Sequence, residues 1–187
     1  MRTKFKAWTI PYLQEHNDIN ITIEQANEII KNNDNVYLEI GSGKGDFLLQ
    51  MAKKNPDLIF IGVEKNVTCS GFTCKKIVDN EIKNAYLVLA DVEKCFPIFE
   101  KGKINSIFLN FSDPWPKKKH TKRRLTETKF LNSYYDLLIK NGADPLARNN
   151  DGISPLVYAI AAPTLLLPTT ATQCRSCPSA LTITASS

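Results

Sequence analysis

The chain has 187 residues, is 43% hydrophobic and 23% charged, and so fits a globular protein of one domain or two small ones rather than a disordered, collagen-like or coiled-coil chain. No apolar run approaches the roughly 20 residues needed to cross a bilayer. The longest uncharged stretch, Gly152 to Cys174, is broken by Pro155, Pro163 and Pro168, and the first residues lack the apolar core of a signal peptide, so a cytoplasmic protein without membrane contact is expected. Net charge is +5, and the whole excess lies in residues 1–140, which hold 22 basic against 17 acidic residues; six of those basics sit in KKKHTKRR at 117–124, the mark of an anionic partner.

The chain then alternates helix and strand signals. Thr22 with Gln25 forms a capping box ahead of Ile23, Ala26, Ile29 and Ile30. VYLEI (36–40) reads as a short strand ending in a glycine turn, and DFLLQMAKKN (46–55) has helical spacing. LIFIGVE (58–64) is a continuous apolar strand, the pattern of a sheet covered on both faces. Residues 68–82 read as helix, and AYLVLA (85–90) and INSIFLNF (104–111) as two more buried strands. Residues 127–139 put Phe130, Leu131, Tyr134, Tyr135 and Leu138 on one helical face. Four strands interleaved with helices predict an open parallel α/β sheet.

In such sheets ligands bind beyond the carboxyl ends of the strands. The first strand runs into Glu39-Ile-Gly41-Ser-Gly43-Lys44-Gly45-Asp46. Three alternate glycines let backbone approach a ligand and open a helix, or serve only a tight turn. It is not a Walker A loop, because Gly45 follows Lys44, and its third glycine comes one residue too early for the dinucleotide fingerprint. Glu64 ends the second strand at an offset that suits ribose hydroxyls, and Asp91, after the third, could meet an adenine amino group. Singly each acid reads equally well as a solvated carboxylate. Together Glu39, Glu64 and Asp91 with the glycine loop predict a nucleoside pocket, and its acidity suits a sulfonium better than phosphates.

The fourth strand runs into Phe111-Ser112-Asp113-Pro114-Trp115-Pro116, where two prolines stiffen the loop carrying Asp113. The basic octet follows at once, with no acid between Asp113 and Glu127. Its Lys and Arg can neutralise phosphates, and Trp115 or His120 can stack on a base. Most charge runs are plain solvated surface; the place of this one on the rim of the pocket predicts nucleic-acid contact. The cysteines predict no metal: Cys69, Cys74 and Cys95 are scattered, and Cys174 and Cys177 form a CxxC without a second pair.

EIGSGKGDF, GVEKN and FSDPWPKKKHTKRRL together resemble the signatures of the tRNA (guanine-N7)-methyltransferase family, which methylates guanine 46 in the tRNA variable loop. The resemblance runs from the N-terminus to about Gly142. It implies a Rossmann-like, S-adenosylmethionine-dependent methyltransferase fold, with an N-terminal segment 1–35 and a core 36–142. Glu39, Gly41, Glu64, Asp91 and Asp113 would bind S-adenosylmethionine, and Asp113 would also be catalytic. Lys117 would contact substrate, and Lys119, His120, Thr121, Lys122, Arg123 and Arg124 the tRNA.

Beyond Gly142 the family would continue with a fifth strand carrying a Thr-Asp pair and, later, a Thr-to-Glu motif. This chain reads Ala143-Asp-Pro-Leu-Ala-Arg-Asn149 instead, so the fold is expected to be C-terminally incomplete, with the edge of the fourth strand left open. Residues 137–161, LLIKNGADPLARNNDGISPLVYAIA, resemble the end of one ankyrin repeat and the start of the next, which suggests a chimeric or truncated chain with an ankyrin-like fragment over 143–162. One partial repeat cannot bury its own face. Residues 163–187, with 10 Ser/Thr in 25, read as a low-complexity tail without a core. Weak or absent methyl transfer is expected from this chain. A non-catalytic RNA-binding remnant and an ankyrin-type protein-interaction module are the alternatives.

Overall fold

In a computed structural model, residues 3–110, 125, 128–138 and 181–184 are described. The elements are α1 (Thr9–Glu15), α2 (Ile23–Asn32), β1 (Val36–Ile40), α3 (Asp46–Lys54), β2 (Ile59–Glu64), α4 (Val67–Asp79), β3 (Ala85–Leu89), α5 (Val92–Cys95), β4 (Ile104–Leu109), α6 (Thr128–Leu138) and β5 (Leu181–Thr184). The sheet order is β3-β2-β1-β4-β5. The first four strands pair in parallel, as their unbroken apolar runs predict, and β5 runs antiparallel to β4. This is the expected α/β architecture, and its order reverses direction between β1 and β4, where open sheets bind ligands.

Period-two alternation sends side chains to two cores. On one face Val36, Leu38, Ile40, Ile61, Val63, Ile107 and Leu109 pack with α2 and α6, through Ala26, Ile30, Phe130, Tyr134 and Leu137. On the other, Phe60, Ala85, Leu87 and Phe108 pack with α1, α3 and α4, through Leu13, Leu48, Met51, Cys74 and Ile77. Glu39 and Asn110 follow Tyr37 and Phe108 by two residues and so belong to this second face. The α6 stripe is largely as expected: Phe130, Tyr134 and Leu138 are buried, Leu131 and Tyr135 are half-buried, and Leu137, not expected on that face, is buried as well.

Helix starts follow local chemistry. Thr22 accepts from Gln25 N–H at 3.2 Å while the Gln25 side chain accepts from Thr22 N–H at 2.8 Å, the predicted reciprocal cap of α2. Two helices escaped the sequence reading. In α1, Pro11 falls in the first turn, where its missing N–H costs nothing, and the helix is held by packing on α4: a Cβ on Gly71 would lie 2.3 Å from Thr9 Cβ. α5 is a single turn. The helix expected over 68–82 spans Val67–Asp79, because the Asn66 side chain caps it early by accepting from Cys69 N–H at 3.0 Å.

Both sheet edges carry partners. Residues 19–21 flank β3: Leu87 N–H donates to Ile19 O at 2.8 Å, and Ile21 N–H to Leu87 O at 2.9 Å. The edge of β4 is not open as expected, since Leu181–Thr184 pair with Ser106–Leu109. That strand belongs to the segment read as a coreless tail; the rest of the tail, the Cys174–Cys177 pair and the ankyrin-like stretch 143–162 lie outside the described residues. Among the described residues no helix is long and apolar enough to cross a membrane, and no cluster of ligating side chains could hold a metal ion.

Candidate functional site

The turn after β1 is built from backbone that only glycine adopts readily. Gly41, Gly43 and Gly45 have φ of +73°, +57° and +74°. Gly41 N–H donates to Val63 O at 2.8 Å, fastening the turn to β2. Thr73 of α4 clasps it from the side, donating its hydroxyl to Gly43 O at 3.0 Å. Gly45 begins α3 in the left-handed region and gives it no side-chain cap. Among the described residues the amides of Asp46 and Phe47, ahead of the Leu48 N–H that faces Glu39, are thus left for a ligand or water.

Two of the predicted acids meet at this turn. Glu64 is half-buried at the end of β2, its Oε2 accepting from Gly43 N–H at 3.0 Å and its Oε1 from Asn66 N–H at 2.8 Å. Each oxygen keeps a second lone pair for a ligand hydroxyl. Glu39 is only 3% exposed and lies beneath the turn. Burial raises its carboxyl to about 7, and the charges of Glu64 and Asp46 add to the rise; the Asn110 side-chain amide and the Leu48 N–H pull the other way. Asn110 Nδ2 donates to Glu39 Oε1 at 2.9 Å across the gap between the ends of β4 and β1.

Asp91 stands apart from that pair. It is exposed, and its Oδ1 caps α5 by accepting from Glu93 N–H at 3.2 Å. The β3 end nevertheless adjoins β2: Leu89 pairs with Glu64, and Ala90 N–H donates to Glu64 O at 3.1 Å. Asp113, Trp115, Lys117, Lys119, His120, Thr121, Lys122, Arg123 and Arg124 lie outside the described residues.

Three polar atoms around these strand ends bear on what the site could hold. Glu39 Oε2, Ser42 Oγ and Asn110 Oδ1 are buried, and none forms a hydrogen bond among the described residues. Unpaired buried acceptors cost about 1–3 kcal/mol each, so they are unusual unless something donates to them. Beside uncapped helix amides and a half-buried carboxylate, they fit a small polar ligand with an ammonium and hydroxyls, as S-adenosylmethionine has. Asn110, Ser42 and Thr73 were missed in the sequence. For Asn110 a signal existed: it is a lone polar residue between Leu109 and Phe111 at the end of a buried strand.

A groove of about 360 Å³ between α5 and α6 is separate from this site. It lies on the other face of the sheet, beside Phe96 and Phe130, and is bridged by Lys129 to Glu93 at 3.0 Å and by Lys101 to Asp136 at 2.9 Å. The buried thiols are also apart from it. Burial pushes Cys74 and Cys95 up to about 12, so both are inert.

Comparison with known proteins adds to this geometry. A family model described as a putative methyltransferase matches residues 33–151, running past Gly142 into the stretch read as ankyrin-like. The chain is similar to the tRNA (guanine-N(7)-)-methyltransferase of Bacillus subtilis (strain 168), 37% identical over 158 residues that cover 82% of this chain and 74% of the relative. It is similar to the protein of the same name from Oenococcus oeni, 41% identical over 162 residues with the same coverage. A solved "antibiotic related Methyltransferase" aligns over 65% of this chain and 61% of its own, with 22% identity and a TM-score of 0.48.

Proposed function

The chain belongs to the tRNA (guanine-N7)-methyltransferase family, and from that premise we propose that it transfers a methyl group from S-adenosylmethionine to N7 of guanine 46 in the tRNA variable loop. The observation that carries this reading is the pair of buried acceptors without a partner among the described residues, Glu39 Oε2 and Asn110 Oδ1, beside the start of α3. Bound S-adenosylmethionine would supply an activated methyl group on a positively charged sulfur.

Guanine N7 already has a free lone pair, so the protein needs no general base; its work is alignment and exclusion of competing water. In our assignment Glu39 and Asn110 receive the cofactor's ammonium, Gly41 lets the cofactor approach the turn closely, Glu64 receives its ribose hydroxyls and Asp91 its adenine amino group. Asp113 holds the guanine N1–H and amino edge and offsets the charge that appears on the methylated base. Lys117 contacts the substrate, and Lys119, His120, Thr121, Lys122, Arg123 and Arg124 hold the RNA, whose target base must leave its stack to react. The family assignment, the order of the sheet and the +5 charge support these roles.

The C-terminal part of the proposal is narrower. The sequence of residues 137–161 supports an ankyrin-like fragment joined to a methyltransferase, and the missing Thr-Asp pair supports slow turnover. A cytoplasmic setting is the one in which such an enzyme meets tRNA.

The test is calorimetric binding of S-adenosylmethionine by the full chain, followed by transfer of a labelled methyl group to a tRNA transcript. Saturable binding and label at guanine N7 are expected, with a rate well below that of the Bacillus subtilis relative. Glu64→Ala should weaken cofactor binding at least 10-fold; unchanged binding would falsify the pocket assignment. RNA binding without cofactor binding would mean the non-catalytic remnant.

A further inference from the structure

The segment before α1 is tied to the rim of the site. Lys6 N–H donates to Thr68 Oγ1 at 3.2 Å, and the Thr3 hydroxyl lies 3.5 Å from Cys69 Sγ. Thr68 and Cys69 form the first turn of α4, whose cap, Asn66, donates its N–H to Glu64. Lys4 and Lys6 are therefore carried to the same end of the sheet as the glycine turn.

Two further lysines face this rim. Lys65 is exposed between Glu64 and the α4 cap. Lys44, in the glycine turn, sits 5.6 Å over the Phe72 ring. Phe72 in turn packs edge-on against Trp8 at 5.3 Å, and Trp8 against Tyr12 at 5.7 Å, which gives the lysines a stiff aromatic floor. Among the described residues none of these four lysines has a carboxylate partner; Lys53, Lys54, Lys83 and Lys94 also lack one, and what sets the four apart is their place together at the glycine-turn end of the sheet with exposed rings between them. Exposed Phe5 and Trp8 lie among them, 58% and 37% accessible.

We propose that Lys4, Lys6, Lys44 and Lys65 form a second RNA-docking surface, on the side of the site built by α1 and α4, that holds phosphates of the same polynucleotide whose base enters the pocket. The inference rests on the tRNA reading above and assigns the protein a contact surface separate from the 117–124 octet. Unpaired lysines spaced along a rim, with exposed rings between them, match the charge and stacking surfaces of a single-stranded or looped nucleic acid. An anionic bilayer would meet the same lysines and Phe5. It is disfavoured because the lysines stand at the polar glycine turn and the Glu64 end of β2 rather than on a smooth apolar face.

The experiment compares the full chain with Lys4→Gln/Lys6→Gln, measuring the Kd for an unmodified tRNA transcript between 50 and 200 mM salt, and separately the Kd for S-adenosylmethionine. Two lost phosphate contacts should flatten the slope of log Kd against log salt by about 1.5 and weaken binding roughly 10-fold at 0.1 M salt. Cofactor affinity should stay within about twofold. An unchanged slope overturns the proposal, and so does loss of cofactor affinity in step with RNA affinity, which would mean that the lysines act through the fold. Co-sedimentation with phosphatidylserine vesicles that depends on these lysines, without a change in tRNA binding, overturns it in favour of a membrane surface. If the parent chain binds no tRNA at any salt concentration used, the tRNA reading itself fails.

Discussion

Helices α2 and α3 begin in opposite ways. The start of α2 is closed by its own residues: Thr22 and Gln25 exchange hydrogen bonds and satisfy two of its free N–H groups. The start of α3 is open. Its cap is a glycine with φ +74° and no side chain, and around it stand a carboxyl held near neutral pH and two unpaired acceptors. The first arrangement serves stability alone. The second forgoes local satisfaction, and such forgone satisfaction marks a place where something else binds.

The sharpest way to break this contrast is to make the α3 start ordinary. Gly45→Ala puts a Cβ 2.2 Å from Thr73 Cγ2 on backbone already in the left-handed region. Strain and overpacking together predict a loss of roughly 2–5 kcal/mol in chemical denaturation. In a Thr73→Ser background the 2.2 Å contact is gone while the Thr73 hydroxyl and Cβ remain at 2.8 and 2.9 Å, so the same substitution should cost less, roughly 2–3 kcal/mol.

Glu39→Gln removes the ionisable group instead. The folded chain holds the Glu39 proton more tightly than the unfolded chain does, since burial lifts the carboxyl from 4.5 to about 7. That stabilising difference is fully present below about pH 4.5 and is lost as pH rises through about 7. The Gln variant should therefore gain on the parent between those limits and exceed it by about 3 kcal/mol at pH 8. Cofactor binding should fall at the same time, a gain in stability matched by a loss in function. Parallel stability curves from pH 4 to 8 would show that Glu39 is not held near neutrality.

Thr22→Ala tests the closed end. It should cost about 1 kcal/mol by thermal or chemical unfolding and leave the Kd for S-adenosylmethionine unchanged. A large change in that Kd would mean that α2 and the site are coupled, and the contrast would lose its meaning.

The four parallel strands were legible almost to the residue, because a parallel sheet covered on both faces writes itself as unbroken apolar runs, whereas β5, a short antiparallel edge strand in a Ser/Thr-rich segment, was read as tail. The Thr22–Gln25 box was legible because a cap is local. What was not legible depended on distant partners. α1 carries a proline and stands on its contact with Gly71 and Phe72, some sixty residues away in sequence. Asp91 was read as a ligand, and its visible work is to cap α5. Asn110 went unread because its meaning arises only when β4 lies beside β1 and its amide reaches Glu39. Glu39 and Glu64 were chosen by their positions at strand ends, and both stand at the glycine turn. Which of the two would be buried was invisible in the chain, since that depends on how α3 closes over the face that Glu39 occupies.

The short pairing of residues 19–21 with Leu87 also bears on how the protein behaves in a crowded solution. Leu87 would otherwise offer a free N–H and a free C=O at the border of an apolar parallel sheet, a template to which any extended chain can add. Ile19 O and Ile21 N–H occupy both groups. Cleavage by a protease in the loop before α2 would uncover them, and the clipped protein would be prone to self-association through β3 even with its core intact.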